Sequence, residues 1–387
     1  MPAILTHEPW PAWAAPGHVR GEAPEGGTSL EFSFYGSPPD ACMQGFSERL
    51  SQALAGAGHV QGPPEQAKLI LSFVDQDRPR PFRRRAQATY IVALLRLQES
   101  PEDILRGAYA WMIRSLANLM IAVVGDERNP KTYFITLERG YYETRAPYQS
   151  ERHMQELVER LTPLAASHLI VDNVFDPDLE EDLWDGGREI DQLDRAGKTL
   201  DGWGVLPTPF PIEDILPPDE WRHVQLLFQL GGLSYGNLSM RHDPRRFWMS
   251  ASGVDKSHLR EVGKDVQMVK TFDPEVKAMR LSQPPGIKGR RVSVDAIEHH
   301  IIYREHPKVG AIIHVHAWMD GVRSTEINYP CGTIELAQAV AEAVREADDP
   351  SRAVVGLKNH GLTITGRDLD DIMERVDGRI VSRVPMA

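Results

Sequence analysis

Two histidines separated by one residue, His314 and His316, end the apolar run Gly310-Ala-Ile-Ile-His-Val-His316. The run reads as a buried strand. Side chains alternate along a strand, so both imidazoles share a face and Val315 points the other way. Two imidazoles on an otherwise apolar strand are costly unless they gain partners. A metal ion satisfies both, and so does a hydrogen-bonded pair lining a pocket; the pair alone leaves the two readings level. A third histidine shifts the balance. Ala353-Val-Val-Gly-Leu-Lys-Asn-His360-Gly361 reads as a strand running into a glycine turn, with another strand over Leu362–Thr365. His360 then sits at a strand end, a usual place for functional residues. Two imidazoles on one strand and one from a neighbouring strand end make a three-imidazole site with an open position, the arrangement of catalytic zinc. An acid is available nearby. Ser293 reads as an N-cap, with Asp295 in the first turn of a helix running to Tyr303. First-turn acids also occur for dipole reasons alone, so spacing leaves Asp295 open. Glu298, His299 and His300 follow on the same helix. Packing or solvent exposure accounts for all three, although His299 lies one turn after Asp295 and could orient it.

The elements that must position these groups divide the chain. Residues 1–28 are rich in Pro, Gly and Ala and read as a loose arm. Strands are expected over Ser29–Tyr35, Lys68–Val74, Thr89–Leu97, Ile121–Val124, Thr132–Glu138 and His168–Asn173. Helices are expected over Met43–Ala55, Pro101–Asn118 (capped by Ser100, with Glu102 and Asp103 in its first turn) and Ser150–Ser167. This mixture implies a two-layer α+β domain over residues 29–175. Residues 176–217, acidic and then proline-rich, read as a connector with one helix near Glu189–Leu200. Residues 218–387 form the second domain.

The chain has 387 residues, net charge −12, 41% hydrophobic and 25% charged residues. That composition is an ordinary globular one. The negative charge argues against nucleic acid as the partner, because phosphate backbones want a basic footprint. One basic cluster, Arg78, Arg80, Arg83, Arg84 and Arg85, reads as a solvated loop and strand edge or as an anion site. Two distant cysteines, Cys42 and Cys331, make no disulfide framework, and a reduced cytoplasmic protein is expected. No signal peptide is visible at the N-terminus, and the apolar run near Leu116–Val124 is too short to cross a bilayer. Two motif matches fail on context. Gly232-Leu-Ser234-Tyr-Gly236 has the spacing of a hydrolase nucleophile elbow, but a helical segment precedes it and an extended one follows. Gly56-Ala-Gly58 follows a helix and lacks the third glycine of a dinucleotide fingerprint.

Six motifs taken together resemble the class II aldolase/adducin family. They are Ser234-Tyr-Gly-Asn-Leu-Ser239, Ser250-Ala-Ser-Gly253, Ser293-Val-Asp295, His314-Val-His316, Gly332-Thr-Ile-Glu335-Leu336 and Asn359-His360-Gly361. The resemblance covers residues from about 219 to 387. It implies an α/β fold for the C-terminal domain, three-layer α/β/α with a mainly antiparallel sheet. It implies a divalent metal on His314, His316 and His360, usually Zn2+, with Mn2+, Co2+ or Fe2+ also suited to such ligands. It makes Asp295 a metal ligand or the catalytic acid/base; aspartate here resembles the family's epimerase, where its aldolases use glutamate. It assigns Ser234, Asn237, Ser252, Gly253 and Ser293 to a phosphate pocket. Val294 replaces the second serine of the family's pair before the acid, which weakens the case for a phosphorylated substrate. The interval between His316 and His360 lacks the segment carrying the family's catalytic tyrosine. Tyr329 is the nearest tyrosine to it.

The chemistry implied is a metal-dependent lyase, cleaving a small hydroxy-carbonyl compound by an aldol-type reaction through an enediolate. An epimerase, dehydratase or decarboxylase would use the same site. A non-catalytic, adducin-like binding module is the rival from another class, and the intact histidines argue against it. A homo-oligomer, tetrameric by analogy with the family, is expected, with neither nucleic acid nor membrane as partner.

Overall fold

The computed structural model describes residues 29–83, 89–136, 140–206, 214–222 and 235–386. Arg84, Arg85, Ser234 and the 1–28 arm lie outside the described residues. Arg78, Arg80 and Arg83 are exposed on a loop, as a solvated cluster would be. Among the described residues no helix is long and apolar enough to cross a membrane.

The first domain is built on a seven-stranded sheet ordered β2-β1-β3-β4-β5-β6-β7. Its strands are β1 (Glu31–Tyr35), β2 (Val60–Gln61), β3 (Leu69–Phe73), β4 (Tyr90–Leu97), β5 (Leu119–Val124), β6 (Lys131–Ile135) and β7 (Tyr141–Glu143). The strands from β2 to β5 pair in parallel, and β6 and β7 close the far edge as antiparallel hairpins. This corrects the expected two layers. Helices α1 (Ala41–Gly56) and α3 (Glu151–Ala166) cover one face, while α2 (Ile104–Ser115) with Phe82 covers the other, giving three layers. The cause is visible in β4 and β5, every residue of which is buried. A parallel strand covered on both faces carries a continuous apolar run rather than an alternating one. Asp103, not Ser100, caps α2: its side chain accepts from the Arg106 N–H.

The second sheet has eight strands ordered β14-β15-β13-β9-β10-β11-β12-β8. They are β8 (Asp172–Asp176), β9 (Asn237–Arg241), β10 (Phe247–Ser250), β11 (Val266–Asp273), β12 (Ala278–Ser282), β13 (Ala311–Val315), β14 (Val354–Leu357) and β15 (Gly361–Gly366). All pairings are antiparallel except β12 with β8. Helices α4 (Gly187–Gly202) and α7 (Leu369–Val376) pack on one face. Helices α5 (Ala296–Glu305) and α6 (Ile334–Arg345) pack on the other. The domain is therefore the expected three-layer α/β/α arrangement with a mainly antiparallel sheet.

The segment expected to be a connector is largely absorbed into this domain. Ile190, Leu193, Ala196 and Leu200 of α4 lie in its core, because the helix carries an apolar stripe that needs a surface to bury against. The strand expected over His168–Asn173 begins later, at Asp172. The residues before it are held instead by a bridge between Leu169 and Thr333 and by Glu335, which accepts from both the backbone N–H and Nδ1 of His168.

Candidate metal centre

Register places the central groups. On β13, His314 pairs with Asn237 of β9 on one side and with Thr363 of β15 on the other. Cross-strand partners project from the same face, so three polar side chains line up across three strands. Ser239, two residues along β9, shares that face. The start of α5 lies over the row, and Asp295, Glu298 and His299 each meet one member. Asn237 Nδ2 donates to Asp295 Oδ2 at 2.7 Å, and Thr363 Oγ1 donates to Glu298 Oε1 at 2.6 Å. His299 Nδ1 lies 2.7 Å from Ser239 Oγ, which also meets the Tyr303 hydroxyl at 2.8 Å. Positions separated by three and four residues share a helix face, which explains why Asp295, Glu298 and His299 act as one set. Asp295 stands at the N-cap of α5 yet makes no capping bond, since one of its oxygens is taken by Asn237. Ser293, expected to be the cap, lies outside the helix.

His314, His316 and His360 converge: one ring nitrogen from each lies within 4.8 Å of the others, and all three residues are buried. His360 Nε2 and His316 Nε2 are 3.1 Å apart. Two glycines allow this approach. A Cβ on Gly236, whose φ is +77°, would stand 2.5 Å from the His314 carbonyl oxygen, and one on Gly361 would collide with that of Val315. Asn359 brings His360 inward from a left-handed φ of 57°, which asparagine tolerates better than most residues. Burial lowers the proton affinity of His314, opposed in part by Asp295, and lowers that of His360 further, with His314 contributing. Both rings are therefore neutral at neutral pH, with a lone pair to give. A His314 ring N–H is directed at the Leu362 carbonyl, and Thr363 Oγ1 is 3.5 Å from Nδ1. The proton thus belongs on Nδ1, while Nε2 is buried with no hydrogen-bond partner. Buried polar atoms are rarely left so. An orphaned imidazole nitrogen beside two others is the donor set a divalent ion takes, so the residues fit a metal.

Asp295 is not part of that three-residue cluster. Its Oδ1 is buried without a partner, and its charge is felt by His314, Glu298 and Lys256. Asn237 is buried and committed to Asp295. Ser252, Gly253 and Ser293 are brought side by side by backbone pairing: Ser252 N donates to Arg291 O, Ser293 N donates to Ser250 O, and Ala251 bridges Val292. Gly253 makes that turn with a φ of +67°.

Residues 224–319 match the family model of the class II aldolase and adducin N-terminal domain. Over this stretch the chain is of the class II aldolase/adducin type. A methylthioribulose-1-phosphate dehydratase of Sodalis glossinidius is 35% identical over 82 residues, 21% of this chain and 35% of that protein. One from Klebsiella pneumoniae subsp. pneumoniae is 26% identical over 172 residues, 37% of this chain and 79% of its own length. The chain thus spans about a third of the first relative and about four-fifths of the second. Two solved L-fuculose 1-phosphate aldolases are also similar. One is 20% identical, covering 50% of this chain and 81% of its own, with a TM-score of 0.33. The other, from Thermus thermophilus, is 18% identical, covering 48% and 85%, with a TM-score of 0.29. Likenesses this low carry no weight for function.

Several groups of this domain carry no functional reading in the sequence, where Glu298 reads as a packing or exposed residue. Glu298 is buried, and burial, with Asp295 adding to it, pushes its carboxyl up to about 8. Lys256 is buried too. Burial pulls its ammonium down to about 8 against the nearby Asp295 and Asp255. Cys331 Sγ lies 3.3 Å from His360 Nε2. Thr363 had no motif to flag it. A lysine or threonine in a loop or strand shows in sequence only as an ordinary surface or sheet residue; its place here depends on which strands become neighbours.

Proposed function

We propose that the C-terminal domain is a metal-dependent lyase acting on a small hydroxy-carbonyl compound through an enediolate, with elimination of water favoured over aldol cleavage. The observation that carries this reading is the buried three-imidazole cluster roofed by Asp295 and Glu298, two acids in different settings. The dehydratase names of the relatives favour loss of water among the family's reactions.

His314, His316 and His360 would hold a divalent ion, Zn2+ before Mn2+, Co2+ or Fe2+. When bound, it supplies a Lewis acid for the negative charge that develops on the substrate. Because Asp295 lies outside the three-imidazole group, acid/base work suits it better than ligation. Asn237 fixes one carboxylate oxygen and leaves Oδ1 to take the proton from the carbon next to the carbonyl. Elimination also needs an acid for the departing hydroxyl. We assign that proton to Lys256, which is buried within the field of Asp295 and shifted toward neutrality. The turn holding Ser252, Gly253 and Ser293 would receive a phosphate, a role that the family resemblance extends to Ser234 and Asn237. A homo-oligomer belongs to the same proposal.

The test is metal content of the purified protein beside His314→Ala and His360→Ala, followed by NMR of incubations with phosphorylated and plain hydroxy-ketones. Near-stoichiometric metal in wild type, lost in both variants, with conversion of a ketone hydroxylated on both its α and β carbons to an α-dicarbonyl (the β hydroxyl leaving as water and the α enol becoming the second carbonyl), supports the dehydratase. Two carbonyl fragments would instead mark aldol cleavage. Protein that takes up no zinc, manganese or cobalt would leave the binding-module reading standing.

A further inference from the structure

The first domain reaches the metal centre through a pair of tyrosines. Tyr109 projects from α2, is buried, and shares a hydrogen bond between hydroxyls with Tyr235. Tyr235 lays its ring against His316, with centroids 4.6 Å apart and planes inclined at 33°. The same helix is tied to the second half of the chain by Arg114, whose Nε donates to Glu220 Oε2 at 2.7 Å. The backbone under Tyr235 is held as well, because Gly236 is pressed onto the His314 carbonyl. Tyr235 is thus fixed at its backbone, its ring and its hydroxyl. Its side chain is only half-buried. A buried phenol normally needs a hydrogen-bond partner, and here the partner chosen is another phenol beside a metal-binding imidazole. Hydroxyls in a chain polarise one another: with Tyr109 donating to the Tyr235 oxygen, the Tyr235 hydroxyl becomes the stronger donor.

We propose that Tyr235 is the hydroxyl that binds a substrate oxygen at the metal centre, and that Tyr109, from the first domain, is the residue that positions it. This rests on the enediolate reading above. It gives the first domain a part in the active site: it completes the wall on the His316 side.

The probe is acetohydroxamate, whose two adjacent oxygens imitate an enediolate, titrated into Co2+-loaded full-length protein and followed by the visible cobalt absorption. Tyr109→Phe and Tyr235→Phe keep both rings and remove one hydroxyl each. Both variants are expected to take up Co2+ as wild type does and to bind the hydroxamate about tenfold more weakly, the loss of one hydrogen bond to a charged oxygen. The double variant is expected to bind no more weakly than Tyr235→Phe alone, because Tyr109 acts through Tyr235. A structural role for the pair would instead alter the cobalt band or the melting temperature and leave hydroxamate affinity in place. Wild-type affinity in Tyr109→Phe, or losses that add in the double variant, overturns the inference alone. Co2+-loaded wild type that ignores the hydroxamate overturns the enediolate reading, and this inference with it.

Discussion

Glu298 offers a quantitative test of the site's electrostatics. Its carboxyl is buried, accepts from Thr363 on Oε1 and has no partner on Oε2. Burial, reinforced by Asp295, raises it from 4.5 to about 8 in the metal-free protein. The folded state therefore keeps a proton that the unfolded chain gives up, and stability falls as pH rises between those two values. The slope approaches about 1.36 kcal/mol per pH unit, so the whole interval is worth at most about 5 kcal/mol. Glu298→Gln removes the titration while preserving shape and the acceptor for Thr363. Urea unfolding of metal-stripped wild type and variant at pH 5, 6, 7 and 8 should show similar stability at pH 5. The variant should then gain steadily, by roughly 1 kcal/mol or more per pH unit, up to pH 8. A difference that stays flat across that range would refute a proton held on Glu298.

Gly236→Ala should fold but bind zinc at least about tenfold more weakly in a chelator competition, because its Cβ would push on the His314 carbonyl. Asp371 is buried on α7 and takes hydrogen bonds from Arg367, with Arg352 and Arg375 also paired to it. Asp371→Asn leaves those guanidinium groups short of a counter-charge and should cost about 2 kcal/mol, read as a lowered melting temperature. Burial alone would raise Glu335, but its hydrogen bonds with His168 outweigh that and hold the carboxyl below 4.5. Its contribution is complete above that value and is lost as pH falls through the lower, folded one. Glu335→Gln should therefore flatten the acid limb of the stability curve below about pH 4.5, measured by thermal melts.

The parts of this site that were legible in the sequence are those set by short periodicities. His314 and His316 share a face because a strand repeats every two residues, and His360 lies at a strand end because a glycine follows it. Helix α5 was legible to within a few residues, though its cap was placed at Ser293 instead of Asp295. What could not be read depended on which strands lie side by side. Thr363 matters because β15 pairs with β13 at one register, and Ser239 matters because β9 pairs on the other side. The layer count of the first domain failed for a related reason. A parallel strand buried on both faces and an antiparallel strand in a thick core give the same apolar run, and the helix on the second face decides between them.

Strand β8 has a consequence for how the chain comes into being. It belongs to the first half in sequence but forms an edge of the second sheet, where Asp176 pairs with Arg280 across 104 residues of chain. In the opposite direction, Met386 packs against the core of the first domain. During synthesis β8 leaves the ribosome long before β12 exists to receive it, so the first domain can mature only with a dangling strand at its exit. A fragment starting near residue 218 would carry the reverse defect, a bare β12 edge open to pairing with other chains. Expression of the C-terminal half alone should therefore begin no later than about residue 168. Trimming the last residues around Met386 would loosen the domain at the far end of the sequence rather than the one those residues follow.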